Sequence, residues 1–282
     1  VSAPPAPPRP VSWRRLLGAE LRWVLRRPRT WVMVALLGAV PVLMAVGLVL
    51  ADGPRRGLLS EVVGNGLTLP VAALTLLMAL LLPLVVTVAA ADAIAGEAQH
   101  GTLRGLLLAP VGRLRLVAMK AFGVLVVAAV AVAVVCVVGL VAGWALIGPP
   151  AVVGDGGALL TMSGSVLDLT SAVGRIALVA LWTLGQLAAV GAVALAVSSF
   201  TEHPLVVLSS VLGGIILSGV LGAIPALEPI RPFLLTDGWS AGVDVLRDPL
   251  PTAGLVSSTG LAAGWFAAAA LVLVSRMLRR DA

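Results

Sequence analysis

Charge is scarce in this sequence. Of its 282 residues only 11% are charged, less than half the share of about 25% found in soluble globular domains, while 60% are hydrophobic. Such a chain cannot cover a water-facing surface. That excludes a soluble enzyme and a basic nucleic-acid-binding domain, in spite of a net charge of +6. Lysine and histidine are scarcer still. The one lysine, Lys120, sits in Ala118-Met119-Lys120-Ala121 and not after the Gly-rich backbone that cradles phosphate in P-loop enzymes, so ATP hydrolysis by that chemistry is excluded. His100 and His203 are the two histidines. No set of Cys or carboxylates completes a zinc site around them, and neither lies at membrane depth to activate a serine. The single cysteine, Cys136, permits no intrachain disulfide, and the Val and Ala around it suppress the reactive thiolate. The absence of tyrosine, with one Lys and abundant Ala, Val, Arg and Gly, suggests a GC-rich bacterial genome.

What the chain has in quantity is long apolar runs, and its mean hydropathy is +1.10. A membrane's hydrocarbon core of about 30 Å takes about 20 apolar residues per helix. Six segments qualify: 31–50, 67–91, 120–147, 175–197, 205–224 and 255–275. One polytopic membrane domain over 31–282 is therefore expected, preceded by a Pro-rich tail and a short helix in 1–30. An even number of spans puts both termini on one side. That side carries 14 of the 19 Lys and Arg, in the N-terminal segment, the second connection and the tail, whereas the other carries five basic residues and eight of the 13 acidic ones. By the positive-inside rule both termini are expected in the cytoplasm. The arginine-rich start does not read as a cleaved signal peptide, so the first span is expected to remain.

The central parts of the six spans contain no ionisable residue, which disfavours a proton-coupled carrier or voltage-gated channel. Any transport would draw its energy from elsewhere. Gly139 with Gly143 and Gly260 with Gly264 have the GxxxG spacing of close helix contacts, and Pro41 and Pro83 are expected to kink the first two spans.

Residues 12–27 form a different kind of helix. At about 100° per residue Trp13, Leu16, Leu17, Leu21, Trp23 and Val24 share one face, with Arg14, Arg15, Arg22 and Arg26 opposite. Ser12 can cap it and Pro28 can end it. Such a segment suits the headgroup layer, with arginine toward anionic lipid. It reads either as a topology anchor or as an elbow that also touches a partner subunit.

The connection between the second and third spans, within 92–119, is the most informative. Gly101 can stop the helix that extends from the second span, Thr102 can cap a new short one, and Pro110 bounds it. Leu103, Leu106 and Leu107 would form an apolar knob flanked by Arg104 and Arg113, suited to a groove on a soluble partner. Arg113, Arg115 and Lys120 also read as plain topology signals, and Glu97 as a surface partner of Arg104. Nothing in the apolar run explains a carboxylate at 97, however, which marks Glu97 as functional. On the opposite side, five prolines in 225–254 surround a stretch with Trp239, which reads as an interfacial anchor.

Glu97, Gly101, Thr102, Leu103, Leu107, Pro110, Arg113 and Lys120 resemble, in order and approximate spacing, the pattern of permeases of ABC-2 type exporters. The interfacial helix, six spans, Pro-rich outer segment and basic tail are compatible with that family. The resemblance implies an all-α polytopic membrane protein of the ABC-2, or type V exporter-like, architecture, with short re-entrant helices in 225–254. It further implies a coupling helix that docks on a separate ATP-binding subunit, with ATP and Mg²⁺ on that partner and no cofactor or catalytic residue on this chain. A second permease chain, identical or not, would complete one substrate path in a bacterial cytoplasmic membrane. The Leu, Val and Ala-rich spans would suit an amphiphilic drug, antibiotic or lipid. A membrane assembly or sensory factor recruiting a cytoplasmic partner is the other reading, and no nucleic-acid partner is expected.

Overall fold

A computed structural model of the chain describes residues 13–50, 65–99, 112–148, 157–163 and 165–279. Six helical segments are long and apolar enough to cross a membrane. An amphipathic helix, α1 (Trp13–Arg26), precedes them, and its expected cap Ser12 lies outside the described residues. Arg27 separates it from α2 (Pro28–Leu50), which Pro28 opens. Proline suits that position because its missing N–H would have no partner in the first turn. The chain continues through α3 (Leu69–Met78), α4 (Leu81–Ala91), α5 (Arg113–Ala142), α6 (Leu169–Ser198), α7 (Pro204–Ala223) and α8 (Thr252–Arg279).

The second crossing is not one helix over 67–91. It is divided into α3, entered by a 3₁₀ turn at Gly66–Thr68, and α4. The break at Ala79 and Leu80 lies one turn before Pro83, where a proline ring meets the carbonyl of the residue four positions back and offers it no N–H. Pro41, by contrast, sits inside a continuous α2. Beyond Ala91, α4 widens into a π turn at Asp92–Gly96 and continues through Glu97–Gln99. The third crossing starts seven residues earlier than its apolar run, at Arg113, so Lys120 lies two turns inside a helix and not at its mouth.

The core is built from α4, α5 and α6, which all touch one another, with α2 against α5, α7 against α4 and α6, and α8 along α6. Small residues set the spacing, as expected where packing replaces the hydrophobic effect. A Cβ at Gly139 would lie 3.0 Å from Pro70 Cα, and a side chain at Gly66 or Gly143 would strike the other's backbone carbonyl. The Gly139 and Gly143 pair is thus a true helix contact with the second crossing. Gly260 and Gly264 face open space within this chain. Burial falls from 67% in the apolar stretch of Leu81–Gln99 to 17% in α7 and 22% in α8, and large apolar side chains such as Leu43, Leu205 and Leu271 lie on the outside. A bilayer provides the apolar surroundings that this surface needs.

The end of the bundle away from Arg113 carries two 3₁₀ helices, Pro225–Phe233 and Trp239–Leu246, in the proline-rich segment. Beside them a two-stranded antiparallel hairpin pairs β1 (Gly157–Leu160) with β2 (Val166–Asp168). Asp168 then caps α6 by accepting from the Thr170 and Ser171 N–H groups.

Candidate functional site

The arginine-rich end brings three segments together around one buried cation. Lys120 is 4% exposed. Its Nζ donates to Glu97 Oε1 at 2.5 Å and to Glu20 Oε1 at 3.4 Å, and lies 4.9 Å from the centre of the Trp23 ring. Glu20 comes from α1, Glu97 from the end of the second crossing and Lys120 from α5. The absence of ionisable groups from the spans therefore holds only for their centres. Near one end a charged triad is buried, because the longer α5 carries the lysine inward and two carboxylates follow it. Taking charges out of water costs several kcal/mol per ion and is tolerated only when partners are in place.

A second ion-pair set adjoins it. Asp92, at the start of the π turn, accepts from Arg27 at 3.2 Å and Arg29 at 3.3 Å, and the Arg27 guanidinium lies 3.4 Å from the centre of the Trp23 ring. Trp23 is thus shared by two cations from different segments. The π turn also turns the Ala95 N–H to the Ser198 hydroxyl, 2.9 Å away and fully buried, which ties this junction to the end of α6. The cavity among Glu20, Trp23, Asp92 and Lys120 is about 20 Å³, room for about one water. It is a packed joint and not a ligand chamber. Burial of Glu20 pushes its carboxyl above the usual glutamate range, against the lowering influence of Lys120.

Of the residues singled out in the connecting segment, Glu97 and Arg113 are described, whereas Gly101, Thr102, Leu103, Arg104, Leu107 and Pro110 lie outside the described residues. Glu97 partners Lys120. Arg113 donates to the carbonyls of Met277 and Leu278, at 3.4 and 2.7 Å, and so joins the start of α5 to the end of α8. On α1, Arg14, Arg15, Arg22 and Arg26 are exposed as the helical periodicity requires, Trp23 and Val24 pack inward, and Trp13 lies under Arg115 at 5.4 Å. Glu20, Asp92 and Ser198 were not anticipated. Glu20 had a signal: it is a carboxylate on the apolar face of α1, in phase with Leu16, Leu17, Trp23 and Val24.

At the opposite end a cleft of about 530 Å³ opens between α3, α7 and the 3₁₀ helices, within the size range of small-molecule sites. Thr75, Met78, Ser218 and Trp239 line it, and Arg231 and Asp237 pair across 3.5 Å at its rim. The Trp239 indole N–H has no hydrogen-bond partner among the described residues. Its lining mixes apolar side chains with the Thr75, Ser218 and Ser240 hydroxyls and the charged Arg231 and Asp237.

Residues 16–202 match the family described as ABC-2 family transporter protein. The match runs from α1 through the turn after α6 and takes in the whole charged junction. No curated protein matches the chain.

Proposed function

Because the chain belongs to the ABC-2 family of transporters, whose members are membrane-spanning transport subunits, we propose that it is the permease of an ATP-driven exporter of amphiphilic compounds in a bacterial cytoplasmic membrane. A separate ATPase subunit binds ATP and Mg²⁺ and supplies the energy. A second permease chain completes the path. The arginine-rich end faces the cytoplasm, a reading that the charge asymmetry supports.

The observation that carries this reading is the buried triad of Glu20, Lys120 and Glu97. Segment 100–111 lies between Glu97 and α5, so a partner pressing on that segment acts directly on both arms of the triad. Glu20 passes the displacement to α1, and Ser198 passes it to α6. Amphiphiles leave through the cleft at the opposite end.

The test is reconstitution with a candidate ABC ATPase subunit from the same genome. The permease is expected to retain that ATPase through purification and to change its turnover in liposomes. Glu97→Ala and Leu103→Asp are expected to preserve insertion and to lower transport at least tenfold while ATP turnover continues. Wild-type transport by a correctly inserted double variant overturns the coupling role, and failure to retain any ATPase overturns the exporter reading.

A further inference from the structure

The cleft at the opposite end lies beside the break in the second crossing. α7 packs against α4 on one side of that break, and the cleft opens on the other, between α7 and α3. In membranes, backbone without a partner is tolerated where it lines a cavity, and the ends of broken helices form ligand sites for that reason. The polar groups on this wall are of one kind.

Ala79, just past the last residue of α3, is exposed and lines the cleft. Its dihedrals are helical, φ −58° and ψ −36°, so its carbonyl is set for a donor four residues on. That residue is Pro83, which has no N–H, and among the described residues nothing else donates to the Ala79 carbonyl. One turn earlier, Thr75 also lines the cleft. Its hydroxyl proton is committed to the Val71 carbonyl at 2.9 Å, so what it offers to a ligand is a lone pair. Residues four apart share a helix face. The end of α3 therefore presents two acceptors one turn apart and no free side-chain donor, at the negative end of a helix dipole.

The charged groups of the lining are Arg231 and Asp237. Arg231 is half exposed and approaches one oxygen of Asp237, Oδ1, at 3.5 Å, which leaves the carboxylate a second oxygen. A ligand that meets α3 must bring hydrogen-bond donors. A carboxylate or phosphate at the same place would face acceptors alone.

We propose that the cleft selects amphiphiles bearing a primary ammonium group, whose N–H groups go to the Ala79 carbonyl and the Thr75 hydroxyl oxygen and whose charge is balanced by Asp237. Pro83 acts from one turn away, by withholding the N–H that would otherwise occupy the Ala79 carbonyl. That such compounds are cargo rests on the exporter reading; that they bind here does not.

Isothermal titration calorimetry of the full-length protein in nanodiscs, with empty nanodiscs subtracted, tests binding without any ATPase. The probes are decylamine and decyltrimethylammonium at neutral pH, two cations with the same chain, of which only the first has N–H donors. Decylamine is expected to bind about tenfold more tightly. Thr75→Val keeps the shape of the wall and removes one acceptor, and should lower that preference at least threefold through decylamine alone. Pro83→Ala supplies the missing N–H and should act in the same direction. Gly219→Leu, at a glycine of the lining with open space before it, should weaken both probes about tenfold by filling the cleft. Equal affinity of the two probes for the wild type overturns the proposal, as does decylamine binding that Gly219→Leu leaves unchanged. A preference that neither Thr75→Val nor Pro83→Ala reduces overturns the assignment to α3. Selective binding by a permease that retains no ATPase upholds the site while the exporter reading fails.

Discussion

At the arginine-rich end, Lys120 is held by carboxylates 23 and 100 residues away in sequence. At the opposite end, Arg175 at the start of α6 donates mostly to backbone, reaching the carbonyls of Val245 and Arg247, with Asp248 Oδ1 at 2.8 Å as its one carboxylate. Asp248 in turn takes the Ser165 hydroxyl at 3.0 Å, and its N–H goes to Ser163. Both are buried or nearly so, yet they differ in what can change. Carbonyls cannot be protonated or swing away on a side chain, so the Arg175 node fixes a loop to a helix. Carboxylates on two segments facing a lysine on a third can be re-partnered, so the Lys120 node holds its segments in a relation that a partner can alter. The protein has placed its exchangeable contacts at the end that carries the connecting segment.

The sharpest way to break this contrast is Lys120→Met. It strands Glu20 and Glu97 without their cation and is expected to cost about 3–5 kcal/mol, read from chemical or thermal unfolding in detergent. Adding Glu20→Gln and Glu97→Gln should recover most of that loss, because an uncharged set needs no counter-ion. A single variant as stable as wild type would show that the triad is no joint. Arg175→Gln comes next, at about 2 kcal/mol for lost charge-assisted bonds, and no second change in a carboxylate should rescue it, since most of its acceptors are carbonyls. Recovery by Asp248→Asn alone would erase the distinction between the ends.

Ser198→Ala is expected to cost about 1 kcal/mol by leaving the Ala95 N–H unpaired, with faster amide exchange confined to the π turn. The smallest effect is on pH dependence. Burial raises the Glu20 carboxyl above its unfolded value, so the folded state holds the extra proton in the range just above the ordinary glutamate value. Stability then falls as pH rises through that range. Glu20→Gln should flatten that slope in a pH series of unfolding midpoints, and an unchanged slope would assign it to another group.

Much of this was legible before the fold was known. The long apolar runs located five of the six crossings within several residues, because a bilayer imposes length and hydropathy together; the second, expected over 67–91, is broken at Ala79 and Leu80, and its long apolar segment is Leu81–Gln99. The periodicity of α1 puts Arg14, Arg15, Arg22 and Arg26 on one face, and all four are exposed, whereas Trp13, expected on the apolar face, is 42% exposed. What was not legible depends on distance in sequence. Nothing near Lys120 reveals that Glu20 will meet it, since the pairing exists only when α1 lies against α5. The break at Leu80 was half-legible: Pro83 foretold a distortion, and its placement follows from the lost bond four residues back. The hairpin of β1 and β2 is too short for a clear alternating pattern, and the cleft arises from a gap between helices that no single segment encodes.

The π turn at Asp92–Gly96 has a consequence for insertions and deletions. A π turn carries one residue more than an α turn, and each residue in a helix turns the chain by about 100°. Removing one residue here would restore regular α geometry, so a deletion that ruins most membrane helices should be tolerated for folding. Because the extra residue is taken up within a single turn, Glu97 would keep roughly its phase relative to Lys120, whereas the same deletion inside α4 would rotate it by about 100°. What the deletion would remove is the backbone opening that turns the Ala95 N–H to Ser198. Length within this one turn therefore sets the tie to α6 and leaves the ion pair in place.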